Sequence, residues 1–122
     1  MKPMAENVRI HELLGYVREG RVMDAMNEFY AAEVVMEEPM YGKTVGLEAN
    51  LEREQNFVNS VKEFKNFEAT KVAIGENVSI YENVMDWVDV NDQEIHVEQV
   101  SVATWKDGKI VHERFYYDTG NA

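Results

Sequence analysis

One glutamate stands directly ahead of one of the two prolines of the chain: Glu38, in the run Val34-Val35-Met36-Glu37-Glu38-Pro39-Met40-Tyr41. A carboxyl group at the end of a strand, followed by a methionine and a tyrosine, is one that a pocket can desolvate. Burial disfavours its charged form, which raises its pKa towards neutrality and makes it a usable general base. The plainer alternative is a solvated or capping acid at the strand's edge. Glu37 should point to the opposite face and stay at the surface. Tyr41, Tyr81, Tyr116 and Tyr117 could donate to a ligand oxygen, and Phe57, Trp87, Trp105 and Phe115 could wall a pocket, although aromatics are equally the ordinary substance of a core. Met36, Met40 and Met85 suit an adaptable apolar cavity or an ordinary interior.

Other chemistries lack their residues. There is no cysteine, which removes disulfides, thiol catalysis and Cys-ligated metal. His11, His96 and His112 fall on different segments without metal-site spacing, and no Ser-His-Asp grouping is legible. Gly42 to Gly46 lacks the lysine and spacing of a phosphate loop. The 122 residues carry 12 Lys and Arg against 23 Asp and Glu, a formal charge of −11, with no basic run, so a nucleic-acid partner is disfavoured. No segment approaches the roughly 20 apolar residues of a membrane span, and the first residues do not form a signal peptide; the expectation is a cytoplasmic protein without a membrane partner. With 45% hydrophobic and 11% aromatic residues, the length suits one domain with a core of its own.

The elements that must position these side chains follow from periodicity. Val8, Ile10, Leu13, Leu14 and Val17 recur at helical spacing from Asn7 to about Glu19, and Gly20 ends that helix. A second helix is predicted from Val22 to about Ala32, with Met23, Met26, Phe29 and Tyr30 as its buried stripe. Val34 to Glu38 reads as a short strand and Gly42 to Gly46 as a turn. A longer helix is predicted from Leu47 to about Phe64, with Leu47, Leu51, Phe57, Val58, Val61 and Phe64 inward and Glu48, Glu52, Arg53 and Lys62 outward. Strands then follow over Glu68–Ile74, Val78–Val90, Glu94–Trp105 and Lys109–Asp118, the last pair joined by the hairpin signal Asp107-Gly108. The order describes an α+β fold, helices on one face of a curved, mostly antiparallel sheet.

That order, with the segments EGRVMDAMNEFYA, VVMEEP, YGKTVGLEAN and above all WKDGKIVHERFYYD, resembles the SnoaL-like branch of the nuclear transport factor 2-like superfamily over nearly the whole chain. The resemblance implies a cone-shaped, cystatin-like fold in which a helical hairpin and a long helix close over the sheet, leaving a pocket for a small hydrophobic molecule. Members include isomerases, cyclases, dehydratases, hydrolases and pure binding proteins, so the fold alone leaves function open.

Glu38 matches the proton-shuttling carboxylate of the ketosteroid isomerases of this superfamily. The two oxyanion donors of those enzymes correspond here to about Leu13 and Ser101; leucine has no donor and serine offers only a hydroxyl, so steroid isomerisation by that route is disfavoured. By the same analogy Glu113, Phe115 and Tyr117 of the last strand, and Gln99 and Ser101 of the strand before it, face the cone, whereas His112 and Arg114 face outward. A buried Glu113 would need partners. The sequence leaves open which row of Val78–Val90 faces inward. Asp118 resembles the final-strand acid of SnoaL-type cyclases but equally fits a chain-terminal cap. The expected whole is a homodimer through the sheet, with no cofactor or metal. Its pocket would be lined by Met36, Tyr41, Phe57, Gln99, Ser101, Glu113, Phe115 and Tyr117 around Glu38. The activity would be acid–base catalysis, such as isomerisation, cyclisation or dehydration. The competing reading is a non-catalytic ligand-binding or dimerisation module whose pocket is filled by its own side chains.

Overall fold

A computed structural model describes residues 2–119. Helices α1 (Lys2–Arg18) and α2 (Val22–Phe29) form the expected hairpin around Gly20, whose φ of 76° is open to glycine at little cost. Strand β1 (Tyr30–Glu38) follows directly, then the short β2 (Gly42–Val45), helix α3 (Leu47–Asn59) and the strands β3 (Val61–Gly75), β4 (Val78–Asp89), β5 (Glu94–Lys106) and β6 (Lys109–Tyr117). The sheet order is β2-β1-β6-β5-β4-β3. All neighbours are antiparallel except β1 and β6, which are parallel and join the β1–β2 pair to the strands of the second half.

Four boundaries differ from the sequence reading, the first being α1, which begins at Lys2 and not at Asn7. α2 stops at Phe29, because Tyr30 turns extended and begins the strand. The turn expected at Gly42 to Gly46 is a strand, its residues 42–45 pairing with Glu38 to Val35. α3 ends at Asn59, five residues early: the Ser60 hydroxyl and amide both close on the Phe57 carbonyl, and the Val90 amide donates to Ser60 O. From Val61 the chain alternates and pairs with β4, so tertiary pairing overrides the helical pattern; Phe64 lies 41% exposed on β3 instead of inside. Register shifts at three places along β3 add bulges that bend the strand.

The helices cover one face of the sheet. Ile10, Leu13 and Leu14 of α1 and Ala25, Met26 and Phe29 of α2 are buried with Val34, Met36, Phe67, Ala103, Trp105 and Ile110 of the strands. Trp105 buries its ring and satisfies its indole N–H on Ser79 Oγ at 2.9 Å. The hairpin is fastened to the β5–β6 turn by Arg9, which stacks on Phe29 and donates to Gly108 O at 2.6 Å. In that turn Asp107 and Gly108 both have positive φ, the geometry their pairing predicts. At the other end, Gly46 opens α3 with φ 94°, and Asn50 Nδ2 donates to the carbonyls of Thr44 and Gly46, fixing the helix start to β2.

Candidate functional site

The alternation of the strands decides what the helix-covered face carries. On β4, Ser79, Tyr81 and Asn83 are buried while Ile80 and Glu82 are exposed, which settles the row left open by sequence. On β5 the covered row includes Gln99, Ser101 and Ala103, and on β6 Glu113, Phe115 and Tyr117. A polar group set into this face is cut off from bulk water and must find its partners within the protein.

Glu113 is the deepest acid, 1% exposed. Tyr30 donates its hydroxyl to Glu113 Oε1, and Ser101 donates to Oε2 at 2.6 Å. Burial pushes the Glu113 carboxyl up, and the hydrogen bonds from Ser101 and Tyr30 pull against it by favouring the anion. The same burial, with the Glu113 charge beside them, holds the phenols of Tyr30 and Tyr81 above their ordinary range, so both remain protonated donors. The Ser101 hydroxyl, opposite Tyr81 on the adjacent strand, pulls that phenol back down.

α3 supplies a second acid. Its inward stripe runs Leu47, Asn50, Leu51, Glu54, Phe57 and Val58, and Glu54 sits in the middle of it. The residue keeps some solvent contact, yet its carboxyl is surrounded mostly by protein. Its pKa is raised to about 7, chiefly by burial and with a smaller push from the Glu113 charge, while the Arg53 charge pulls the other way. Two carboxyl groups from opposite layers therefore feel each other across the interior, beside two tyrosines and a serine.

Glu38 lies apart from this group, half-buried at the end of β1. Its Oε1 accepts the Tyr41 backbone N–H at 2.5 Å and its Oε2 accepts the Tyr117 hydroxyl. Burial and the Glu38 carboxylate raise the Tyr117 phenol. Tyr117 and Glu113 are four residues apart on one face of β6, about 13 Å along the strand. Gln99 donates to Asn83 Oδ1 at 3.1 Å. Phe57 meets Trp87 edge-on at 5.2 Å, and Phe115 packs against the core.

One expected lining residue stands elsewhere. Tyr41 is 69% exposed, its ring against Arg53, because the β1–β2 turn carries it outward; only its backbone N–H serves Glu38. Met36 is buried in the core, opposite Glu113 in the β1–β6 ladder. Met40 and Tyr116, also named from sequence, are exposed. The residues that sequence reasoning passed over as chemistry are Tyr30, taken for helix stripe, Glu54 and Asn83. Glu54 had a legible signal: it falls three residues after Leu51 and three before Phe57, an acid on an apolar stripe.

The opposite face of the sheet is also charged. His112 Nε2 lies 2.5 Å from Glu37, whose carboxyl that contact lowers. His96 sits between Glu98 and Asp86, which raise it. An open depression of about 490 Å³ is lined by Ala32, Val45 to Ala49 and Glu52, and a second of about 200 Å³ by Thr70, Glu82, Asn83, Val84, Glu98, Gln99, Val100 and Tyr116; neither touches Glu38, Glu54 or Glu113. Among the described residues there is no cluster of three or more His, Asp or Glu able to hold a metal ion, and no helix long and apolar enough to cross a membrane.

The profile of the SnoaL-like domain matches residues 5–117. The search of curated proteins returned no match. Among solved structures, an NTF2-like protein of unknown function from Burkholderia pseudomallei superposes with a TM-score of 0.82 at 14% identity, covering 94% of this chain and 92% of that one. A protein from Bacillus subtilis provisionally assigned as an isomerase gives 0.78 at 20%, covering 94% and 87%. TerC, co-crystallised with polyporic acid, gives 0.79 at 12%, covering 94% and 92%. At such identities the likeness shows a shared fold.

Proposed function

The chain belongs to the SnoaL-like domain family, and on that premise we propose that it binds a small, mainly apolar organic molecule inside the cone and moves a proton on it. The reaction class is isomerisation, cyclisation or dehydration. The observation that carries this reading is the enclosure of two acids on the helix-covered side, Glu113 of β6 held by Tyr30 and Ser101, and Glu54 of α3, whose charge reaches Glu113, Tyr30 and Tyr81. An acid held near neutrality can take and return a proton at physiological pH, which is what a general acid–base catalyst requires. Glu54 is assigned that role. A proton removed from carbon beside a carbonyl leaves charge on the carbonyl oxygen, and a hydroxyl donor in a water-poor site stabilises such charge; Tyr30 and Ser101 already give their protons to Glu113, which leaves the Tyr81 hydroxyl for that part.

Glu38 is the second candidate for the shuttle, at the rim. Both of its oxygens already accept hydrogen bonds, so a substrate would have to displace Tyr41 N–H or Tyr117 to engage it. Gln99, Phe115 and Tyr117 line the space between the two acids in this reading, with Phe57 above them. The alternative, a binding module without catalysis, draws on the sealed position of Met36 and on the two depressions lying away from the acids.

Deuterium uptake at the α-carbon of cyclic ketones, α-tetralone first, tests the proposal in heavy water. The expected result is exchange faster than in buffer, rising with pH to a plateau above about 7 as Glu54 loses its proton. Glu54→Gln should slow it by roughly 10²–10⁴-fold and Glu38→Gln far less. Exchange at the buffer rate across the ketones contradicts catalysis; loss in Glu38→Gln alone moves the shuttle to the rim.

A further inference from the structure

Asn83 is 2% exposed on the helix-covered face of β4, and its Nδ2 has no hydrogen-bond partner among the described residues. The other end of the same amide is fixed: Asn83 Oδ1 accepts from Gln99 Nε2 across the β4–β5 ladder at 3.1 Å. Gln99 therefore sets the rotation of the Asn83 amide and leaves its NH₂ pointing at no acceptor. A buried donor without an acceptor is costly, and such groups in native structures call for a specific explanation. The second buried orphan, Asn50 Oδ1, differs, because its own amide nitrogen is fully employed in fastening the start of α3.

The surroundings limit what could accept from Asn83. It lies two residues from Tyr81 on the same face, about 7 Å along the strand. Glu54 and Glu113 both act on Tyr81 electrostatically, so the neighbourhood is acidic and repels a carboxylate or a phosphate. A neutral acceptor on an apolar body meets that limit.

We propose that the Asn83 amide, oriented by Gln99, is the hydrogen-bond donor for the carbonyl oxygen of a neutral, apolar ketone or quinone bound inside the cone. This deepens the acid–base reading by naming the substrate's functional group. It assigns Asn83 to ligand binding and Gln99 to positioning.

The test compares α-tetralone with tetralin, which has the same carbon frame without the oxygen, by nitrogen-15 NMR titration of the intact chain. The wild type should bind the ketone about three- to tenfold more tightly than the hydrocarbon, the margin of one neutral hydrogen bond. The ketone alone should move the Asn83 side-chain NH₂ resonances downfield. Asn83→Leu should bring the ratio to about one, and Gln99→Leu should reduce it. Equal affinity for the two compounds in the wild type, failure of both to bind, or a ratio preserved in folded Asn83→Leu each overturns the assignment. If Asn83→Leu does not fold, the wild-type resonances decide alone. Deuterium exchange in the same samples separates the two readings. Oxygen-dependent binding without exchange defeats catalysis and keeps Asn83, whereas exchange with the Asn83 amide unmoved does the reverse.

Discussion

Glu113 shows how one buried acid organises its neighbours. A carboxyl in an apolar interior survives because each oxygen receives a hydroxyl, one from β5 and one from the first residue of β1. Removing one donor leaves an acceptor stranded, and that asymmetry is larger than the net worth of the bond. Tyr30→Phe is therefore expected to lower unfolding free energy by about 1–3 kcal/mol, read from urea denaturation at neutral pH. Little of this was visible in sequence. Glu113 and Ser101 were placed inward by strand alternation and family likeness, but Tyr30 is distant from both along the chain and comes to them only through the parallel pairing of β1 with β6. Glu54 was within reach of helical spacing alone, since 47, 51, 54 and 58 form one stripe.

At the scale of elements, the strong local signals carried furthest. The Asp107-Gly108 turn, the Gly20 break and the long β-branched strands specify structure within a few residues, and they stand where the sequence puts them. The misread elements are those decided by distant partners. Residues 61–67 continue an acceptable helical pattern, yet β4 offers a full ladder and takes them. Residues 42–45 are turn-like in composition and become a strand because β1 lies beside them. Between β2 and α3, Gly46 must adopt φ 94°, and nothing lies within 4 Å of where a side chain would begin, so strain and not crowding would limit a substitution. Gly46→Ala is expected to cost about 1 kcal/mol or more by thermal denaturation, through backbone strain alone.

For the molecule as a whole, the charge of −11 separates by face. Most acids are solvated, whereas a few are enclosed with hydroxyls beneath the helices. The far face of the sheet mixes Val100, Val102 and Tyr116 with His112, Arg114 and Glu98, and we propose it as the surface where two copies pair. Light scattering should then give the mass of two chains, and Val102→Asp should return it to one; a single-chain mass for the wild type would refute pairing.

The central claim, that the cone holds an acid poised to exchange a proton at neutral pH, is tested most directly by carbon-13 NMR titration of the glutamate carboxyls. One resonance should titrate near pH 7 and vanish in Glu54→Gln, while that variant keeps the remaining spectrum. A Glu54 resonance titrating near 4.5, the ordinary value for a solvated glutamate, would contradict the account.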